Sequence, residues 1–145
     1  MIFLFSAQTS ENSSETSSLP AAILARIINP DFELLNETDQ TALIDKCQFA
    51  VRKLAHFSVY TVLGTLALFA LSFHEKLNAK KRILFSSLIC LAYAVSDEIH
   101  QYFVPGRSCR LLDILIDFCG SLFGISIIFI ITLIITKNKI KINDK

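Results

Sequence analysis

Three apolar blocks constrain this chain more than anything else in it: Leu54–Phe73, Ile83–Phe103 and Leu111–Thr136. A helix needs about 20 residues, at about 1.5 Å each, to cross a hydrocarbon core roughly 30 Å thick. In lipid every backbone N–H and C=O must be satisfied within the segment, so blocks of this kind fold as spanning helices. The chain is 52% apolar, with a mean hydropathy of +0.52. The clustering of those residues carries more information than their number. The expected fold is an all-α integral membrane protein of one domain, with spans at 54–74, 83–103 and 111–136.

The flanks add lesser elements. Met1–Ala7 (MIFLFSA) is apolar but too short to span. It reads either as a frayed start or as the short N-terminal remnant of a fourth spanning helix. Together with the Ser/Thr-rich run that follows, residues 1–18 are expected to end in a flexible, solvated segment. Residues 19–53 form an external or interfacial helical segment. In it, Leu19–Ile28 is a short interfacial or packed helix, stopped by Asn29-Pro30. An amphipathic helix then starts near Asn36–Asp39, where Asn36, Thr38 or Asp39 can cap it. Leu43, Cys47, Ala50, Val51 and Leu54 repeat at helical spacing and carry this helix into the first apolar block without a break. Residues 54–136 are the transmembrane domain and 137–145 a basic tail.

Several function classes drop out. A net charge of +1 gives no case for nucleic acid. The four cysteines include no C-x-x-C pair, which removes the usual zinc and redox motifs. Cys90 and Cys119 sit inside apolar runs and read as packing residues. Cys47 and Cys109 fall on one side of the membrane, and a disulfide between them depends on a distance that spacing does not set.

Orientation follows from Lys and Arg. The connector holds Lys76, Lys80, Lys81 and Arg82, and the tail Lys137, Lys139, Lys141 and Lys145. Three spans put both on one side, and the positive-inside bias makes that side cytoplasmic. The opposite side has Arg26, Lys46, Arg52, Lys53, Arg107 and Arg110, so the bias is eight to six.

Against this frame the stretch Ser96–Asp117 (SDEIHQYFVPGRSCRLLDILID) stands out. An ionisable group at the bilayer centre costs about 2.5–3.5 kcal/mol on insertion scales, and such groups commonly mark function. At about 1.5 Å per residue, His56 lies about 5 Å inside Lys53, Asp97 and Glu98 about 10–12 Å before Pro105, and His100 about 7–8 Å before it. Asp113 and Asp117 lie about 3 and 9 Å past Leu111. All three helices therefore bring their ionisable residues to one outer layer, and their inner halves are almost purely apolar. By helical spacing Lys53, His56, Tyr60 and Gly64 share a side of the first helix. Tyr93, Asp97, His100 and Gln101 share a side of the second, with Glu98 pointing elsewhere. On the third, Asp113, Asp117, Gly120 and Gly124 form one stripe, and Gly120-x-x-x-Gly124 lets another helix approach closely. The layer is expected to form an outward-facing polar pocket.

Its chemistry stays open on the residues alone. Asp97, Glu98, His100 and His56 are the candidates for acid–base work. Arg52, Lys53, Tyr60, Gln101, Arg107, Asp113 and Asp117 are candidates for binding, and Gly120 and Gly124 for helix packing. The bland alternative is an interfacial network in which Arg107 and Arg110 neutralise Glu98, Asp113 or Asp117 and pin helix ends. A metal would have to recruit His56 and His100 with Asp97 or Glu98. Glu98-x-His100 places its two groups about 200° apart on a helix, unlike H-E-x-x-H, so no metal or cofactor is expected. Hydrolysis or transfer would use a carboxylate or His as base, with Arg107 and Lys53 holding phosphate. No nucleophile motif supports it. Transport predicts polar residues through the full depth, which the apolar inner halves oppose.

Three signatures resemble the VanZ-like family, named for a protein associated with teicoplanin resistance in Gram-positive bacteria. They are Arg52-Lys53-x-x-His56-Phe57-x-x-Tyr60; Ser96-Asp97-Glu98-x-His100-Gln101 followed by Pro105-Gly106-Arg107; and Asp113-x-x-x-Asp117-x-x-Gly120-x-x-x-Gly124. They cover Val51–Gly124, about half the chain. Each alone is weak, and their order and spacing together are specific. Family members usually start with a further span ending in a phrase like FSxQ, and Phe5-Ser6-Ala7-Gln8 before the Ser-rich run is similar to that ending. The resemblance implies four spans and a truncated or misassigned start. It also implies a multi-pass protein of the cell membrane acting at the bacterial envelope, with an envelope lipid or a lipidated glycopeptide as partner beside the bilayer. It implies no settled reaction. Two alternatives stand beside it: a membrane enzyme acting on a lipid-linked phosphate or similar headgroup, and a structural membrane module without ligand.

Overall fold

In a computed structural model the chain is a set of helices with no strand among the described residues, 10–105 and 110–143 (side chains 16–105 and 110–137). Four α-helices follow in order: α1 (Ser10–Ile28), α2 (Glu37–Ser72), α3 (Ala79–Tyr102) and α4 (Leu111–Asn143), with a 3-10 turn at Phe32–Leu34 between the first two.

Helix α1 departs from expectation. Its first half is the Ser-rich run expected to be flexible, and it continues through Pro20, a residue that more often marks a helix start. The reason lies in its spacing. Ser17, Ala21 and Ala25 recur every fourth residue and are all buried. The two alanines pack with Phe32 and Cys47, and Leu24, Leu35, Leu43, Ile44 and Val51 surround that cluster. Small side chains on one stripe let the helix seat closely, and burial outweighs weak local propensity. The apolar start at Met1–Ala7 lies outside the described residues, as does Cys109. Cys47 is a buried free thiol.

Asn36 opens α2. Its Oδ1 accepts the Asp39 backbone N–H at 2.8 Å and its Nδ2 donates to the Asp39 carboxylate at 2.9 Å. That satisfies one of the amides a helix start leaves unpaired. The helix then runs 36 residues without interruption, about 54 Å, so its first turns exceed what a bilayer needs. Asn78 caps α3 in the same way, through the Lys81 N–H at 2.9 Å, and an Arg82 guanidinium nitrogen donates to the His74 carbonyl at 2.9 Å.

Among the described residues three helices are long and apolar enough to cross a membrane: Glu37–Ser72, Ala79–Tyr102 and Leu111–Lys137. Leu66, Phe69, Leu88, Ile89, Ile130 and Leu133 are among the many large apolar side chains on their outer surfaces. A surface so apolar suits lipid and not water.

The chain divides into two compact units. One comprises Met1–His56 and Asp97–Arg110, the other Phe57–Ser96 and Leu111–Lys145. The cluster around Ala21, Ala25, Phe32 and Cys47 belongs to the first. In the second, α2 and α4 approach at backbone contact. A Cβ placed on Gly64 would overlap the Ser121 carbonyl, one on Gly120 the Phe57 carbonyl, and one on Gly124 the Thr61 carbonyl. Phe57 and Phe123 flank this contact with ring centroids 5.8 Å apart. Helix α3 adds the buried Ser86, Cys90 and Ala94, again every fourth residue.

Candidate functional site

Helix α3 has one buried face, and its character changes along its length. Ser86, Cys90 and Ala94 are small, and Asp97, Glu98 and Gln101 continue the same face with long polar side chains. Asp97 is fully buried and Glu98 is 1% exposed. Burying a carboxylate is unfavourable unless hydrogen bonds or opposite charge compensate it, so the partners of these two decide what the face is for.

Glu98 has a definite one. Its Oε1 accepts the backbone N–H of Arg110 at 3.1 Å. Arg110 is the residue just before α4, so the carboxylate takes an amide that a helix start leaves without an internal acceptor. Asp97 is held differently. Its Oδ2 accepts the Gln101 side-chain amide, one turn on, at 3.1 Å. Its Oδ1 is buried and accepts no hydrogen bond from any described residue. His56, half-buried on α2, places a ring nitrogen within 4.8 Å of an Asp97 carboxylate oxygen. Arg52 and Lys53 are also half-buried on α2, and the Lys53 ammonium lies 5.2 Å from the Phe49 ring centroid.

His100 takes another position. It was expected on the Asp97 side of α3, but it is exposed. Gln101 marks the centre of the buried polar face. Asp97 is about 40° around the helix from it and Glu98 about 60° on the other flank, whereas the adjacent His100 is about 100° away. The same arithmetic brings Glu98 into the face from which it was expected to point away. Ser96 is exposed too, with its hydroxyl donating to the Tyr93 carbonyl at 2.8 Å. Arg107 and Gly106 lie outside the described residues.

The other candidates belong to the second unit. Tyr60 is fully buried, edge-on to Tyr93 at 6.4 Å. Asp113 is half-buried and Asp117 buried, and the Asp117 carbonyl accepts the Ser121 hydroxyl at 3.2 Å. Gly120 and Gly124 stand in the close approach already described. Sequence reasoning missed two features. Gly64 meets the Ser121 backbone on α4, and its signal was the four-residue repeat Tyr60, Gly64, Leu68, all buried. The Glu98–Arg110 bond joins residues 12 apart through a backbone group, and no side-chain pattern announces such a pair.

Helices that cross a membrane, and a buried acidic face on an otherwise apolar one, define a helical multi-pass membrane protein with a polar constellation. A family model described as VanZ/LLP1 matches residues 1–133. The chain belongs to the VanZ family. No curated protein and no solved structure matches it.

Proposed function

We propose that this VanZ-family protein acts at the bacterial envelope through its polar layer, which faces outward, and that it lowers the susceptibility of cells to teicoplanin-type lipoglycopeptides. The observation that carries the reading is the full burial of Asp97 and Glu98 on a helix otherwise suited to lipid. Two acids whose burial is unfavourable persist where Leu or Ala would be cheaper. Arg52, Lys53, His56 and Gln101 supply donors and positive charge in the same unit, and Arg107 is the proposed rim cation. Carboxylates beside basic groups suit a partner rich in amides, hydroxyls and phosphate, which describes both an envelope-lipid headgroup and a glycopeptide. The family membership and the apolar helices place the chain in the bilayer, and the outward orientation rests on the Lys/Arg bias.

The test is teicoplanin susceptibility of cells carrying the protein or an empty vector, at a verified membrane level of the protein. A raised inhibitory concentration with the protein supports the reading, and identical values remove it. Lipid extracts of the same cells address the enzymatic alternative. A headgroup product that appears only with the protein, and vanishes with Asp97→Ala, moves the assignment to a membrane enzyme.

A further inference from the structure

We infer that His56 and Asp97 supply two ligands of a binding site for a divalent transition-metal ion of the zinc class, with water or oxygens of a bound partner completing its shell. On the sequence alone a metal would recruit His56 and His100 with Asp97 or Glu98, and none is expected because Glu98 and His100 stand about 200° apart on one helix. The geometry keeps His56 and Asp97 from that set, on two helices of one unit. A ring nitrogen of His56 and a carboxylate oxygen of Asp97 lie within 4.8 Å of one another. Two ligands of one such ion, each about 2.0–2.2 Å from it, are roughly 3–4 Å apart, and a small side-chain rotation covers the difference.

The second observation is the state of the Asp97 carboxylate. The side chain is fully buried. One oxygen is fixed by the Gln101 amide at 3.1 Å, while Oδ1 is buried and accepts no hydrogen bond from the described residues. An acceptor in that position is costly unless something positive meets it. A carboxylate oriented by an outer hydrogen bond, with its other oxygen kept for the ion, is how metal-binding carboxylates are commonly held. The donor set fixes the ion class. Imidazole with carboxylate suits zinc and its first-row neighbours, whereas calcium and magnesium take oxygen ligands alone. Gln101 is then a positioning residue acting through Asp97. A bound ion also gives the polar layer a Lewis-acidic point at which phosphate or carboxylate groups of a partner attach.

The inference does not depend on the resistance reading, because its test uses no antibiotic. The whole chain, purified in detergent, is titrated with Zn2+ to a small molar excess over chain in the presence of excess Mg2+, and bound metal is measured by mass spectrometry. Co2+ absorption provides a second readout of ligand field. Wild type is expected to retain about one ion per chain, and His56→Gln and Asp97→Asn to weaken binding by well over tenfold. Gln101→Leu is expected to weaken it by about 10–100-fold, as loss of an outer-shell partner does. Each variant is first shown to be monodisperse and helical. Absence of saturable Zn2+ binding to wild type overturns the site. So does retention of wild-type affinity by folded His56→Gln and Asp97→Asn proteins. If Asp97→Asn does not fold, the His56→Gln result decides, since half-buried His56 tolerates a polar replacement of similar size.

Discussion

At the residue scale the decisive contrast is between two neighbouring acids. Glu98 is fully engaged in architecture on one side, where its Oε1 accepts the amide that precedes α4. Replacing it with Ala removes an acceptor of the capping kind, and such losses cost about 1 kcal/mol. Glu98→Gln keeps a carbonyl oxygen in the same place. Thermal melting in detergent should therefore rank wild type first, Glu98→Gln close behind and Glu98→Ala clearly lower; equal melting of all three would remove the capping role. Asp97 has a thinner structural part, one bond from Gln101 on the same helix. Nothing in that bond requires a carboxylate, because an Asn oxygen accepts as well. Both acids were legible in the sequence as costly residues in an apolar setting. Their division of labour was not, since it depends on a backbone amide 12 residues away and on which oxygen meets it. His100 shows the complementary limit. Its angle from Asp97, about 60°, follows from the spacing, but which side of that pair is buried does not, and the buried face centres on Gln101, about 100° from His100.

At the element scale, hydropathy and glycine spacing reveal different things. The blocks of apolar residues forecast three spanning helices because lipid admits few other solutions. The unbroken run from Glu37 to Ser72 followed from a helical period that never lapses between the amphipathic part and the apolar one. Helix α1 was only half legible. Ser and Thr compete with helical hydrogen bonds, so their run reads as irregular until Ser17, Ala21 and Ala25 are seen to be a buried stripe. The glycines of α4 were legible as a packing motif, but their partner was not, because Gly64 stands alone on α2. The approach has a sharp consequence. At Gly64 and at Gly124 a Cβ would overlap backbone, which cannot rotate away. Gly64→Ala and Gly124→Ala should each destabilise the protein by about 1–3 kcal/mol, as overpacking does. Cys119→Ala, at an exposed position on the same helix, should have little effect. Melting curves of the three proteins check this, and a Gly124→Ala protein as stable as wild type would show that α2 and α4 do not meet at backbone distance.

At the scale of the whole molecule the question is which side of the membrane the polar layer addresses. Its outward placement is a proposal built on an eight-to-six excess of Lys and Arg in the connector and tail. A direct check uses Cys109, in the segment between α3 and α4, in a background with Cys47, Cys90 and Cys119 replaced by Ala. A membrane-impermeant thiol reagent should label it in intact cells. Labelling only after the cells are opened would invert the topology and end the envelope reading, while leaving the helices and the Asp97–Gln101 geometry as they are. The three helices long and apolar enough to span were the most legible property of this chain, because the hydropathy that marks them extends over long segments. The nature of the ligand was the least, because a handful of side chains decides it.

The central claim is that Asp97, on the buried acidic face of α3, is kept for function and not for folding. It is tested most directly by measuring, on one Asp97→Asn protein, both thermal stability in detergent and the teicoplanin susceptibility it confers at wild-type membrane levels. The predicted result is a melting temperature within a few degrees of wild type, consistent with about 1 kcal/mol or less, together with susceptibility returned to that of the empty vector. Full wild-type resistance from a folded Asp97→Asn protein would contradict the claim.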